Sequence, residues 1–224
     1  MLPRTLEPEV MDTEEEARDY DAMDHAEVNR RFVAEFLDVW RGEGGQPEAA
    51  PILDVGAGTA QIPIVLANEY ENCRITAIDL AAEMLRVARR NVEQAGLGER
   101  VNLELVDAKR MPYEDGSFEA VISNSIVHHI PEPRDVLREM VRVLKPGGVL
   151  FVRDLLRPES EEMVERLVAT YAGDENAHQQ QLFRQSLHAA LTVAEVRELL
   201  AEIGLPGEWV RATSDRHWTV CGHT

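Results

Sequence analysis

Three groups of residues in this 224-residue chain have types and spacing suited to chemistry. The first is ILDVGAGTA, Ile52 to Ala60, where an apolar run carries Asp54 near its end and then turns through Gly56, Ala57 and Gly58. Glycine at 56 and 58 lets the main chain turn tightly and lets a ligand approach the backbone. About 20 residues further on, Asp79 ends the apolar run CRITAID, at the position from which a carboxylate accepts hydrogen bonds from ribose hydroxyls. The second group is His128-His129, just after the run FEAVISN. An imidazole titrates near neutrality, so either ring can take a proton from a substrate hydroxyl or amine, or else pack structurally. The third is Asp154, which ends GGVLFVRD and can hold or deprotonate a substrate, or cap the turn that follows.

These groups need elements to position them, and the pattern supplies them. From Pro51 onward short apolar runs alternate with helical patterns: PILDV then IPIVLANEY, CRITAID then AAEMLRVARRNVEQAG, VNLELVDA, FEAVISN then RDVLREMVRVLK, and GGVLFVRD. Near-continuous apolar runs are strands covered on both faces, and strand–helix alternation predicts crossover units on a parallel sheet. Gly96 ends one helix, and Lys145-Pro146-Gly147-Gly148 stops another before its strand. Ahead of this region, residues 24–40 read as a helix with Val28, Phe32, Val33, Phe36, Leu37 and Trp40 on one stripe, capped by Asp24 with Glu27. RGEGGQPEAAP reads as a linker, and the first 23 residues, acidic and poor in large apolar groups, are expected to pack loosely. After Asp154 the alternation stops. Two helical stretches follow, then a helix opened by the box Thr192-x-x-Glu195, then a hairpin of EWVRAT and RHWTVCG.

A strand, a glycine turn, a helix and a second strand ending in an acid predict a nucleoside ligand at the carboxyl edge of the sheet. A dinucleotide site needs a third glycine at position 61, and this chain has Gln61. Asp54 would repel a pyrophosphate but can hold an ammonium group. Both features favour a ligand with an amino-acid tail over one with phosphates.

Composition narrows the partners. Lys and Arg number 23 against 41 Asp and Glu, a formal charge of −18, which argues against a nucleic acid or an anionic membrane surface as partner. No apolar run approaches the ~18 residues of a membrane span, and MLPRTLEPEV is not read as a secretory signal. Cys73 and Cys221 form neither a disulfide framework nor a ligand cluster, so no metal is expected, and the expected location is the cytoplasm.

From Ile52 to Asp154 the chain resembles the class I S-adenosylmethionine-dependent methyltransferases, in the ubiquinone/menaquinone-biosynthesis-like (type 11/25) branch. LDVGAGTA is similar to the first family motif, with Ala60 where many members carry glycine. AIDLAAEML is similar to the acidic segment, which implies Asp79 on the ribose and Leu80 beside the adenine. VDAKRMPYEDGSFEAVISNSIVHHI is similar to the next two motifs, which implies Asp107 and Ala108 at the adenine edge and Asn124 near the methionine part. LKPGG matches the turn before the fifth strand. The resemblance implies an α/β, Rossmann-like seven-stranded sheet, mostly parallel, with an antiparallel C-terminal hairpin and a helical cap. It implies one domain over residues 1–224: an N-terminal helical lid (1–50), a cofactor-binding core (51–154), a substrate cap (155–191), and a last helix and hairpin (192–224). It implies S-adenosylmethionine as cofactor, S-adenosylhomocysteine as product, a small-molecule methyl acceptor, and no nucleic-acid or membrane partner. In related enzymes a tyrosine placed like Tyr20 closes over the cofactor, and the cap region, here with Tyr171, His178, Arg184 and His188, contacts substrate. Asn124-Ser125-Ile126-Val127 is not the Asn-Pro-Pro-Tyr-like tetrapeptide of amide and base-amino methylases. A non-catalytic S-adenosylmethionine-binding protein and a nicotinamide-dependent oxidoreductase are the alternative classes. No residue pattern specifies the acceptor atom or an oligomeric state.

Overall fold

The run ILDV becomes part of β1 (Ala50–Val55), which pairs in parallel with β2 (Cys73–Asp79) on one side and β4 (Phe118–Asn124) on the other. In the computed structural model, which describes residues 2–8, 10, 12–23, 25–40 and 50–224, seven strands form one sheet in the order β3-β2-β1-β4-β5-β7-β6. The others are β3 (Val101–Leu105), parallel to β2, then β5 (Leu144–Leu155), β6 (Val210–Ala212) and β7 (His217–His223), the last two antiparallel to each other. The register sets Ile52 beside Ile75 and Ala120, all essentially inaccessible to solvent, so a continuous apolar sequence is what this position requires. The helices are α1 (Glu14–Ala22), α2 (Ala26–Trp40), α3 (Gln61–Glu69), α4 (Ala82–Gln94), α5 (Pro133–Val143), α6 (Glu161–Tyr171), α7 (Ala177–Ala189) and α8 (Val193–Glu202). The alternation read from the sequence is the α/β order observed, and the terminal hairpin lies where expected.

The chain divides into two compact units. One comprises the described residues from 10 to 124 with Arg138–Phe151 and Gly222–Thr224, and the other comprises residues 2–8 with Ser125–Leu137 and Val152–Cys221. The first carries the glycine turn and the second carries the histidine pair.

Two expectations differ from the structure. The N-terminal stretch is not loose. Thr13 and Glu16 make a reciprocal capping box on α1, Ala17 is fully buried, and Asp12 accepts the Glu83 N–H in the first turn of α4 at 2.8 Å. Short polar and acidic residues serve here as caps, which replaces the large apolar groups the segment lacks. LKPGG is not a separate turn but the start of β5. The chain terminus pairs with it: Gly147 N–H donates to the Thr224 carbonyl at 2.6 Å, and Thr224 N–H to the Gly148 carbonyl at 3.1 Å. The expected Asp24 cap and residues 41–49 of the linker lie outside the described residues.

Gly148 shows why β5 opens with glycine. A Cβ there would lie 2.7 Å from Leu144 Cδ1 and 2.8 Å from the backbone oxygens of Glu119 and Lys145. Gly148→Ala is expected to destabilise the chain by about 1–3 kcal/mol through overpacking against main chain. At roughly 2–4 °C per kcal/mol for a chain of this size, a calorimetric melt resolves the loss. Gly98→Ala, at a position with nothing within 4 Å of the new Cβ, is the control that should leave the melt unchanged.

Candidate functional site

The glycine turn leaves β1 through left-handed backbone, with φ of 78° at Gly56, 54° at Gly58 and 64° at Ala60. Ala60 is the one side chain of the three that the left-handed region penalises, which accounts for the glycine more common there in the family it resembles. Three of the turn's donors are committed within the protein. Gly56 and Ala57 N–H both donate to the Ile78 carbonyl at 2.9 Å, and Gly58 N–H donates to Asp79 Oδ2 at 2.7 Å. The other Asp79 oxygen accepts the Ala81 N–H ahead of α4 at 2.9 Å. A phosphate cradle presents free N–H groups to its ligand. This turn presents none of these three and is flanked by two carboxylates.

A small cleft opens beside the turn, lined by Tyr20, Asn29, Asp54, Gly56, Ala57, Thr59, Gln61, Ile62 and Asn124. Thr59 Oγ1 and Asn124 Oδ1 are buried there without a hydrogen-bond partner, two polar atoms open to a ligand. Asp54 is 2 % exposed, and burial followed by the charge of Asp79 pushes its carboxyl up to about 8. Tyr20 packs with Ala17, Ala81, Met84 and Val87, and its ring carbon Cε1 would sit 3.5 Å from a Cβ at Gly58. Burial, then Asp79, Asp54 and Asp21, push its phenol up to about 12. The cleft therefore favours a cation and disfavours a further anion.

Sequence reasoning missed the amides of this cleft. Asn29 Nδ2 donates to Gln61 Oε1 at 3.0 Å, and Asn91 Nδ2 donates to Asp21 Oδ1 at 2.8 Å and to the Thr59 carbonyl at 3.0 Å. Asn29 had a signal: it falls on the buried stripe of α2, where a polar residue needs a partner.

Residues 53–152 match the family described as a methyltransferase domain. That stretch of the chain belongs to this family. The chain is 38 % identical over 133 residues to the malonyl-[acyl-carrier protein] O-methyltransferase of Geobacter sulfurreducens, covering 59 % of this chain and 47 % of that protein. It is 30 % identical over 129 residues to the ubiquinone/menaquinone biosynthesis C-methyltransferase of Desulfotalea psychrophila, covering 58 % and 48 %. The chain spans less than half the length of these curated relatives. A SAM-dependent methyltransferase from Aquifex aeolicus has the same fold, with a TM-score of 0.66 over 94 % of this chain and 98 % of that one at 20 % identity.

The structure sorts the remaining expected residues of the methyltransferase domain and its flanks. Tyr20, Asp54, Gly56, Ala57 and Asn124 line one cleft, with Gly58 and Asp79 bonded to each other at its turn. Leu80 is exposed, Ala108 is half-buried, and Asp107 accepts the Lys109 N–H at 2.9 Å with the Lys109 ammonium 3.2 Å away. In the other unit, His128, His129 and Asp154 do come together. His128 Nδ1 meets Asp154 Oδ1 at 2.5 Å, and Asp154 also accepts the N–H groups of Val127 and Leu155 at 2.6 Å each. Burial alone would raise the Asp154 carboxyl, but His128 and these donors hold it below its ordinary value. Three of the four cap residues have separate partners. Tyr171 donates to Asp215 at 2.7 Å beneath the Arg216 guanidinium, Arg184 pairs with Glu165 at 2.6 Å, His188 lies 3.4 Å from Glu161, and His178 is exposed.

Asp54 makes a stability prediction. Its folded value near 8 lies above the ordinary 3.8, so its stabilising contribution is complete below about pH 4 and lost as pH rises through 8. Asp54→Asn removes that loss. The melting temperature of the variant minus that of the wild type should increase from pH 5 to about pH 8 and level off above it, and a flat difference across that range would place the carboxylate in an unperturbed environment.

Proposed function

We propose that the chain transfers a methyl group from S-adenosylmethionine to a small-molecule acceptor, as a cytoplasmic enzyme without a nucleic-acid partner. The observation that carries this reading is the acid-flanked cleft at the end of β1, whose turn N–H groups are already paired, within a stretch that belongs to the methyltransferase-domain family. The ligand that fits is a nucleoside with a cationic amino-acid tail. Asp54 would hold its ammonium group, and Asp79, with lone pairs left on both oxygens, would accept from the ribose. Thr59 and Asn124 would gain partners for the buried atoms that lack them. Leu80, Asp107 and Ala108 would border the base, and Tyr20 would cover the cleft.

When bound, this cofactor supplies a methyl group activated by a sulfonium. The chain's own contribution is then alignment and the exclusion of water, and positioning of this kind supplies up to ~7–11 kcal/mol. His128, held by Asp154, acts in this reading as a positioning residue in the helical turn Val127–His129. Tyr171, His178, Arg184 and His188 offer hydrogen-bonding groups for a polar acceptor. No helix among the described residues is long and apolar enough to cross a membrane, Cys73 and Cys221 are free thiols, and the acid excess disfavours phosphate-backbone partners.

Calorimetry with S-adenosylhomocysteine and with a nicotinamide dinucleotide tests the reading. The nucleoside thioether should bind and the dinucleotide should not. Asp79→Asn weakens charge-assisted hydrogen bonds worth ~1.5–3 kcal/mol each, so affinity should fall by at least about tenfold. Binding of the ammonium beside Asp54 lowers a carboxyl that sits near 8 in the free protein, so binding at pH 7 should release a proton. The apparent enthalpy should then vary with the ionisation enthalpy of the buffer. Tight dinucleotide binding with no response to S-adenosylhomocysteine would overturn the assignment.

A further inference from the structure

Glu7 brings a third ligand-type side chain to the histidine pair. Its carboxylate Oε1 lies 3.0 Å from His129 Nδ1 and 3.4 Å from His128 Nε2, and the ligand atoms of the three residues all fall within 4.8 Å of one another. All three belong to the same compact unit as Asp154. The His129 Nδ1 contact is close but not aligned as a hydrogen bond, and that buried atom has no hydrogen-bond partner. The imidazole planes lie 34° apart with centroids at 4.2 Å, so the two rings pack face to face at a tilt.

We propose that Glu7, His128 and His129 form a binding site for a divalent transition cation, with Zn²⁺ as the ion the donor set favours. Two imidazoles and one carboxylate are a known three-ligand zinc set, and they leave a fourth tetrahedral position for water. Donors on a tetrahedral Zn²⁺ with bonds of ~2.0–2.1 Å stand about 3.4 Å apart, the scale of the separations found here. Asp154 supplies the outer-shell partner such a site requires. It engages His128 Nδ1 and thereby turns Nε2 toward Glu7, the carboxylate–histidine–metal arrangement that fixes ring orientation and ligand basicity. The Glu7 and Asp154 side chains are 7 % and 0 % exposed, so a cation bound by the imidazoles would lie beside two buried carboxylates.

The site is built rather than incidental. Ser186 Oγ hydrogen-bonds both Glu7 oxygens at 3.2 and 3.3 Å. The Arg4 guanidinium donates to the carbonyls of His128, Ile130 and Ala189, and Thr5 N–H donates to the His188 carbonyl at 3.0 Å. These bonds fasten residues 4–7 to the backbone that carries the histidines, so the ligand separation is set by the fold. Because the site is defined by binding, it stands whether or not the chain transfers methyl groups.

The test is a Zn²⁺ titration of the full, tag-free chain after chelator treatment, read by calorimetry and by metal content after equilibrium dialysis. The expected result is one ion per chain. Glu7→Gln and His129→Gln, each confirmed as folded by circular dichroism, should weaken binding by about 100-fold or more. Asp154→Asn should weaken it by about 10–100-fold, the range for an orienting partner. A folded wild-type chain that retains no Zn²⁺ would overturn the proposal. So would an unchanged affinity in both ligand variants, since the ion would then be held elsewhere. If Asp154→Asn does not fold, the two ligand variants decide the matter.

Discussion

One carboxylate organises the glycine turn and the cleft beside it. Asp79 ends β2 and accepts two backbone donors, Gly58 N–H from the turn and Ala81 N–H ahead of α4. A charged acceptor holds each donor more firmly than a carbonyl would. The turn after β1 is therefore fixed to β2, α4 begins at a defined point, and Tyr20 packs against Ala81 and Met84 just beyond it. The cleft wall, its acidity and the covering aromatic ring all follow from where this one side chain sits. It also explains why glycine is needed at 58: the backbone is left-handed there and Tyr20 lies in van der Waals range.

Acidity in the cleft has a cost that a cationic ligand removes. Asp54 is buried near Asp79, and its carboxyl rises to about 8 because neither water nor a cation stabilises the anion. A site of this kind is less stable empty than filled, and it selects by sign. A phosphate would meet paired N–H groups and two acidic side chains, whereas an ammonium would draw the Asp54 carboxyl into its anionic form. The same logic separates this turn from the dinucleotide-binding turns its glycine spacing resembles.

The second unit places its buried polar groups differently. His128 faces Asp154 through one nitrogen and Glu7 through the other, and Glu7 is delivered by a segment fastened through Arg4. Burial lowers an imidazole's affinity for a proton, but Glu7 more than offsets this and raises His129. The same pairing holds the Glu7 carboxyl down although burial alone would raise it. These four side chains form a compact polar cluster in which the members orient one another.

The chain by itself determined the elements and the turn. Apolar runs long enough for one strand, helices with their own caps, and a glycine pair ahead of a helix are local patterns whose physical meaning does not depend on distant residues. Thus β1, β2, α4 and the terminal hairpin were legible, as were Asp54, Asp79 and the cleft glycines. The N-terminal segment was misread because its anchoring is polar: Thr13 and Glu16 cap α1, and Arg4 bonds carbonyls more than 120 residues away. Asn29 escaped notice because an amide reveals its role only through its partner, here Gln61. Glu7 had no signal at all in one dimension, since nothing near it marks a ligand. Only the tertiary structure could bring it to His128 and His129, because the contact joins groups that the chain separates by most of a domain, and local propensity carries no information about such pairs.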